Sequence, residues 1–336
     1  MDTSPPLISP ALPYKDRRVG LIVFGVFQIF LGGVAAMFVP LLLVGAALTP
    51  AQAGAPMGLR QLGPAMLVYA GMALWFIWMG VGSCMTRRWA RALTLIFSWS
   101  WLIVGLLGTM FFCFLLPEME EQFNQMSQQA QPAGAAPVPG LAMVAIVVAV
   151  VAITVIYILL PLSLVLFYRS RHVKATCEAR CPESSWTDAV PLPLLALALW
   201  QGFSACWFLA MPIIYNGALP IFGRILTGPS GAVFCFVLAA FLGWCAWGTF
   251  SRRITAWWAT VVLLVLAAIS NTVTFSTIEL PVLYEAMGYA PAQIEQIMKY
   301  NFFTPSAMTL MGTVGLLPYV LLLLWVKRYF RPALPA

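Results

Sequence analysis

Charged residues are scarce in this chain. Asp, Glu, Lys and Arg make up 9% of its 336 residues, whereas 62% of the residues are hydrophobic. A soluble domain has about 25% charged residues, and a chain this apolar has too little polar surface to cover its core in water. The composition therefore excludes an ordinary soluble protein and predicts that the lipid bilayer is the solvent.

Histidine and intramembrane charge are also lacking. His172 is the only histidine, which excludes bis-histidine haem ligation and multi-histidine metal sites. No acidic or basic residue lies near the middle of an apolar segment, where pumps and proton-coupled carriers normally place one. The sequence has no Gly-rich phosphate loop, no His-Glu-x-x-His motif and no nucleophile–base set. We therefore expect no enzymatic activity, no cofactor and no metal.

Long apolar runs are abundant. A membrane-spanning helix needs about 20 predominantly apolar residues, and eight segments of the chain meet that requirement. They are too long and continuous for the short, alternating strands of a barrel. The predicted fold class is therefore all-α, a polytopic transmembrane helical bundle with eight transmembrane helices. The segments are 19–47, 62–85, 92–116, 140–168, 190–215, 230–250, 254–278 and 305–326.

Basic residues lie mainly on one side of this eight-helix map. Fifteen of the eighteen Lys and Arg residues share that side, and only Arg60, Arg224 and Lys299 lie on the other. Cytoplasmic loops carry such an excess, so we predict that both termini are cytoplasmic. We expect anionic lipid headgroups as partners at this face, and no nucleic acid, since no soluble domain is present to bind it. The fifteen are Lys15, Arg17, Arg18, Arg87, Arg88, Arg91, Arg169, Arg171, Lys174, Arg180, Arg252, Arg253, Lys327, Arg328 and Arg331.

The eight segments divide into two related halves. Three landmarks recur in order: a glutamine in the first helix, a di-arginine after the second, and Leu-Leu-Pro in the fourth. Because each half has an even number of helices, we predict two parallel four-helix repeats. The predicted parts are a tail (1–18), a first repeat (19–174), a cytoplasmic linker (175–189) and a second repeat (190–336). The landmarks are Gln28, Arg87-Arg88, Leu159-Leu160-Pro161, Gln201, Arg252-Arg253 and Leu316-Leu317-Pro318.

Matched polar and proline residues lie within the apolar segments. Gln28 and Gln201 each lie about ten residues into a helix, roughly 15 Å deep. Their amides indicate either a polar site at the repeat interface or hydrogen bonds that hold helices together. Pro161 and Pro318 each remove a backbone hydrogen bond and should kink their helices, as hinges or as static packing features.

The seventh segment has an unusually polar outer half. Ser270, Thr274 and Thr277 are spaced i, i+4, i+7 and share one helix face, and Asn271 and Glu279 lie close by in sequence. Such a face lines a water-filled vestibule, packs on a neighbouring element or reaches the membrane interface. These residues, with Gln28 and Gln201, form the candidate intramembrane polar site.

Two classes of function fit this pattern. The first is a structural or accessory membrane subunit, as a homo-oligomer or within a larger membrane complex. The alternative is a passive channel or carrier for a neutral or lipid-like small molecule, with its path between the repeats. Short loops, and the absence of an apolar signal segment before the first helix, lead us to expect the plasma membrane, specifically a bacterial inner membrane.

Overall fold

The computed structural model describes residues 14–48, 59–129, 141–299 and 305–330. Within them, one π-helical turn (Val155–Leu159), two 3₁₀ turns (Trp186–Asp188 and Lys327–Tyr329) and one hairpin of strands β1 (Leu219–Ile221) and β2 (Arg224–Leu226) accompany twelve α-helices. The α-helices are α1 (Arg18–Leu48), α2 (Leu59–Cys84), α3 (Arg88–Gln129), α4 (Leu141–Thr154), α5 (Leu160–Arg169), α6 (Arg171–Arg180), α7 (Leu192–Ile214), α8 (Gly228–Phe250), α9 (Ile254–Thr277), α10 (Leu280–Ala286), α11 (Pro291–Lys299) and α12 (Pro305–Val326).

Eight helices in the described residues are long and apolar enough to cross a membrane. This confirms the prediction of an all-α, multi-pass membrane protein. Seven spans are α1, α2, α3, α7, α8, α9 and α12. The fourth is composite, because α4, the π-helical turn and α5 follow one another without a break.

Two loop regions hold more structure than the sequence indicated. Helix α3 continues to Gln129, well past the expected end at residue 116, since the Glu, Met and Gln residues that follow favour helix. The 4–5 connection contains α6, whose first turn is capped by Ser170: its Oγ accepts a hydrogen bond from the His172 amide at 3.3 Å. Both extensions begin where an apolar run ends, so hydropathy alone does not reveal them.

Neighbouring spans pair closely. Helix α1 packs along α2, α7 along α8, α3 against α5, and α9 against α12. At the α1–α2 crossing, a Cβ on Gly80 would lie 2.5 Å from the Gly25 carbonyl oxygen. Small residues at this crossing let the two backbones touch, which is how membrane helices gain van der Waals contact.

The basic turns after α2 and after α8 have the same geometry. Thr86 and Arg252 adopt φ values of 55° and 58°, the left-handed conformation that ends a helix in a Schellman motif. The Arg87 amide donates to the Gly82 carbonyl at 2.9 Å, and the Arg253 amide donates to the Gly248 carbonyl at 2.8 Å. Arg87 therefore occupies the same place in its turn as Arg253 does in the other turn, one residue away from the match of Arg87 with Arg252 that the order of the two di-arginines indicates.

The buried core lies near the helix ends that carry the basic turns. One cluster contains Leu21, Leu164 and Tyr168, and another contains residues of α7, α9 and α12. Helix α3 contributes to both, since Leu95 belongs to the first cluster and Ile96 to the second. The first four spans therefore contact the last four through α3, and α2 also contacts α7.

Candidate functional site: two buried glutamine clusters

Gln28 is the start of a hydrogen-bonded chain across three spans. Its Nε2 donates to the Tyr168 hydroxyl at 3.2 Å, and that hydroxyl lies 2.5 Å from Ser83 Oγ. Ser83 donates its one proton to the Leu21 carbonyl at 3.1 Å, so the Tyr168 hydroxyl must donate to Ser83. The chain joins α1, α2 and α5, and all four residues are buried.

Gln201 is the centre of a second cluster. Its Nε2 donates to Thr260 Oγ1 at 2.8 Å, and Thr260 donates to the Ala256 carbonyl at 2.7 Å. The thiol of Cys245 also interacts with Thr260, and the hydroxyl of Tyr319 interacts with Gln201. Side chains of α7, α8, α9 and α12 therefore meet here.

The two amides share one unusual property. Gln28 and Gln201 are each 1% exposed, and no group in the described part of the chain hydrogen-bonds to either amide oxygen. A buried acceptor without a donor costs about 1–3 kcal/mol. In each cluster the amide nitrogen therefore donates to another helix, while the amide oxygen accepts no hydrogen bond from the described residues.

The structure does not join the two glutamines in one site. Gln28 hydrogen-bonds to the fourth span and Gln201 to the seventh, so each bond stays within its own group of four spans. The two groups are instead linked by the Trp200 indole, which donates to Ser100 of α3 at 2.9 Å.

The hairpin covers one polar face of α9. At its tip, the Phe222 amide donates to Ser270 Oγ at 3.0 Å, and the Gly223 amide donates to Thr274 Oγ1 at 3.3 Å. Gly223 has a φ of +75°, and a Cβ there would lie 2.6 Å from Thr277 Oγ1. Ser270 and Thr274 of the candidate polar site thus hydrogen-bond to the hairpin tip, and Thr277 lies against it.

The other candidate residues of this region point elsewhere. Asn271 Nδ2 donates to the Thr309 carbonyl of α12 at 3.4 Å, and its side chain fills the space that a Cβ on Gly312 would occupy. Glu279 is exposed and is the residue before the first turn of α10, where its side chain makes no capping bond. The seven candidate polar residues therefore do not converge on one cavity.

Pro161 and Pro318 have different surroundings. Pro161 is the second residue of α5, one residue beyond the π-helical turn, and its ring nitrogen cannot donate to the Tyr157 carbonyl as an α-helix would require. That carbonyl lies against Gly105 of α3, where any Cβ would overlap it. Pro318 lies within a continuous α12. The altered helical repeat at Pro161 thus coincides with a close backbone contact between the third and fourth spans.

The N-terminal segment and α6 pack together at the basic end. Asp16 and Arg180 form an ion pair at 2.8 Å, and the Arg17 amide donates to Thr176 at 3.0 Å. The hydrogen bond from Arg180 lowers the pKa of Asp16. His172 Nδ1 accepts from the Lys15 amide at 3.3 Å. Within the described ranges, no three His, Cys, Asp or Glu side chains lie together as a metal site requires.

The sequence indicates the two glutamines but not their partners. Ser83, Tyr168, Thr260 and Tyr319 are isolated polar groups in apolar helices, which is a common pattern with no distinguishing spacing. One feature of the sequence weakly indicates the hairpin, namely Gly223 between two Ile-containing segments. In the structure the two-residue turn has positive φ at both Phe222 and Gly223, and a glycine favours that conformation.

Comparison with known proteins gives no match: no family model fits the chain, and neither a curated protein nor a solved structure matches it. The case for function therefore depends on the geometry above.

Proposed function

We propose that this protein is a structural or accessory membrane subunit, as a homo-oligomer or within a larger membrane complex. The observation that carries the proposal is that most residues of the candidate polar site hydrogen-bond within the protein. Gln28 and Gln201 hydrogen-bond between helices, and Ser270 and Thr274 bind the hairpin. Polar side chains that are hydrogen-bonded to neighbouring elements hold those elements together. They do not form a continuous polar lining for a solute.

The proposed architecture is two parallel four-helix repeats with both termini in the cytoplasm, in a bacterial inner membrane. The matching turns that end at Arg87 and Arg253 support the repeat, and the clustering of basic residues supports the orientation. Lipid is the expected partner around the whole bundle. The linker boundaries 175–189 remain a prediction from the sequence.

Three spans offer surface for a protein partner or a second copy. In the most apolar stretch of the fourth span, only 6% of the residues are buried within the protein. The corresponding share is 11% for the seventh and eighth spans, and 33% for the fifth and sixth. Val151, Val265 and Leu321 are exposed examples on these spans. Such faces contact lipid or another membrane protein, and an accessory subunit needs them.

Photocrosslinking in native membranes tests this proposal. A photoreactive residue at Val151 should give one protein adduct of constant mass, and the same residue at the buried Leu195 should give none. Adducts with lipid alone at Val151, Val265 and Leu321 would argue against an accessory role.

A passive carrier or channel for a neutral or lipid-like molecule is the second candidate. The unmatched amide oxygens of Gln28 and Gln201 favour it, because such acceptors suit a small uncharged donor. A Cys at Thr274 distinguishes the two functions, since this residue is buried under the hairpin. Rapid reaction with an impermeant thiol reagent from outside would support a path, and protection would support the accessory role.

A further inference from the structure

Three basic residues of α3 and of the 4–5 connection have acidic partners. Asp16 pairs with Arg180 at 2.8 Å, Asp188 with Arg88 at 3.6 Å, and Glu178 with Lys174 at 3.7 Å. These carboxylates neutralise three of the ten basic residues on this side of the basic face.

The basic end of the last four spans is different. Arg252, Arg253, Lys327 and Arg328 form no ion pair with a carboxylate of the described residues. Arg252 donates to the Ala189 carbonyl at 2.8 Å, and the other three cations lie over aromatic rings. We name Arg253, Lys327 and Arg328, with their rings, the aromatic–basic corner.

Rings hold the cations at this corner. The Arg253 guanidinium lies 4.2 Å from the Trp247 ring centroid, and Lys327 Nζ lies 4.8 Å from that of Trp257. Arg328 lies over the rings of Trp325 and Tyr329. A ring face attracts a cation but leaves most of the cation's N–H donors without an acceptor. The outward N–H groups remain available to an anion.

Trp257 connects the two sides of the corner. Its buried indole donates to the Leu323 carbonyl at 2.9 Å, which fixes the end of α12 against the first turn of α9. The adjacent Trp258 is exposed and also faces Lys327, at 5.7 Å. Arg253 at the start of α9 and Lys327 at the end of α12 are therefore held at one corner, at the depth where Trp marks the membrane interface.

We propose that the aromatic–basic corner binds the phosphate of an anionic phospholipid. The phosphate oxygens accept from Arg253 and Lys327, and the exposed indoles contact the upper acyl chains. The inference rests on the proposed orientation, because it requires these residues at the membrane surface. It assigns selective lipid binding to the last four spans, where the carboxylates that would compete with phosphate are absent from the described residues.

Lipid retention tests the site. The full-length protein in nanodiscs of phosphatidylglycerol and phosphatidylcholine is released into detergent, and bound lipids are counted by native mass spectrometry. Arg253→Gln with Lys327→Gln should lower retained phosphatidylglycerol at least about tenfold, since each cation near an anionic surface contributes substantially. Lys174→Gln with Arg180→Gln removes the same charge from carboxylate-paired positions and should leave retention unchanged.

The remaining outcomes decide the proposal. Arg253→Lys with Lys327 unchanged keeps both positive charges, so it should retain most of the phosphatidylglycerol that the Gln double variant loses. A shared monodisperse elution profile shows that all variants fold. Equal loss in both double variants would overturn the site, because net charge alone would then explain binding. Displacement by inorganic phosphate would also overturn it, since the lipid would then be unnecessary. Photocrosslinking at Val151 is independent of this readout, so the accessory role and the lipid site fail separately.

Discussion

At the scale of single residues, the hydroxyl of Tyr168 has two roles in the first cluster, as acceptor for Gln28 and donor to Ser83. Tyr168→Phe removes the acceptor of the buried Gln28 amide nitrogen and the donor to Ser83, which keeps only its bond to the Leu21 carbonyl. We therefore expect the free energy of unfolding to fall by about 1 kcal/mol. Tyr157→Phe on the same span is the control, since Tyr157 is exposed. Reversible unfolding in mixed micelles measures the difference, and equal stability of the two variants would show that the chain adds nothing.

Two thiols of α6 and its C-cap should differ in reactivity. Burial raises the pKa of Cys177 to about 11, whereas Cys181 is partly exposed beside the Arg87 guanidinium at 3.7 Å. At pH 8 only roughly one in a thousand Cys177 thiols is ionised, and this fraction rises with pH. In single-cysteine variants, maleimide should modify Cys181 quickly and Cys177 slowly. Comparable rates for the two thiols at pH 8 would contradict the burial of Cys177.

At the scale of helices, the contact between the third and fourth spans depends on Gly105. Any side chain there would overlap the Tyr157 carbonyl oxygen, whereas nothing lies within 4 Å of a Cβ at Gly108. Gly105→Ala should therefore separate the two spans and destabilise the protein by at least about 1–3 kcal/mol. Gly108→Ala should be neutral or slightly stabilising, since Ala favours helix. Thermal unfolding compares the pair, and equal midpoints would rule out the close contact.

The hairpin depends on Gly223 in a comparable way. Gly223→Ala adds a Cβ 2.6 Å from Thr277 Oγ1 at a φ of +75°, so the tip should leave α9. Gly288→Ala imposes a similar backbone strain at φ +88° but meets no neighbour within 4 Å. In a Thr274→Cys background, Gly223→Ala should increase labelling by an impermeant thiol reagent several-fold, and Gly288→Ala should not. No increase for Gly223→Ala would mean that the hairpin does not cover Thr274.

At the scale of the whole molecule, continuous apolar runs were sufficient to predict the eight spans, because length and hydropathy determine whether a helix can cross a bilayer. The partners of Gln28 were not predictable in the same way. Tyr168 lies 140 residues away, and its approach depends on how α1, α2 and α5 pack. Hydropathy does not reveal the hairpin, because a two-residue turn with positive φ adds almost nothing to it.

Each proposed half has a buried glutamine, Gln28 or Gln201, whose amide nitrogen donates to another helix. The halves differ at their outer and basic ends. In the described residues, the hairpin accompanies only the last four spans, and the ion pairs lie on the side of the first four. A protein built from two similar bundles with different surfaces is suited to contact different neighbours on each side. The proposed accessory role would use these different surfaces for different neighbours.

Native mass spectrometry of the protein, extracted gently from its own membranes without overexpression, tests the accessory role most directly. The account predicts a complex of fixed stoichiometry, either with other membrane subunits or as a homo-oligomer. A lone monomer that retains a small neutral molecule would contradict it and would establish the carrier as the better explanation.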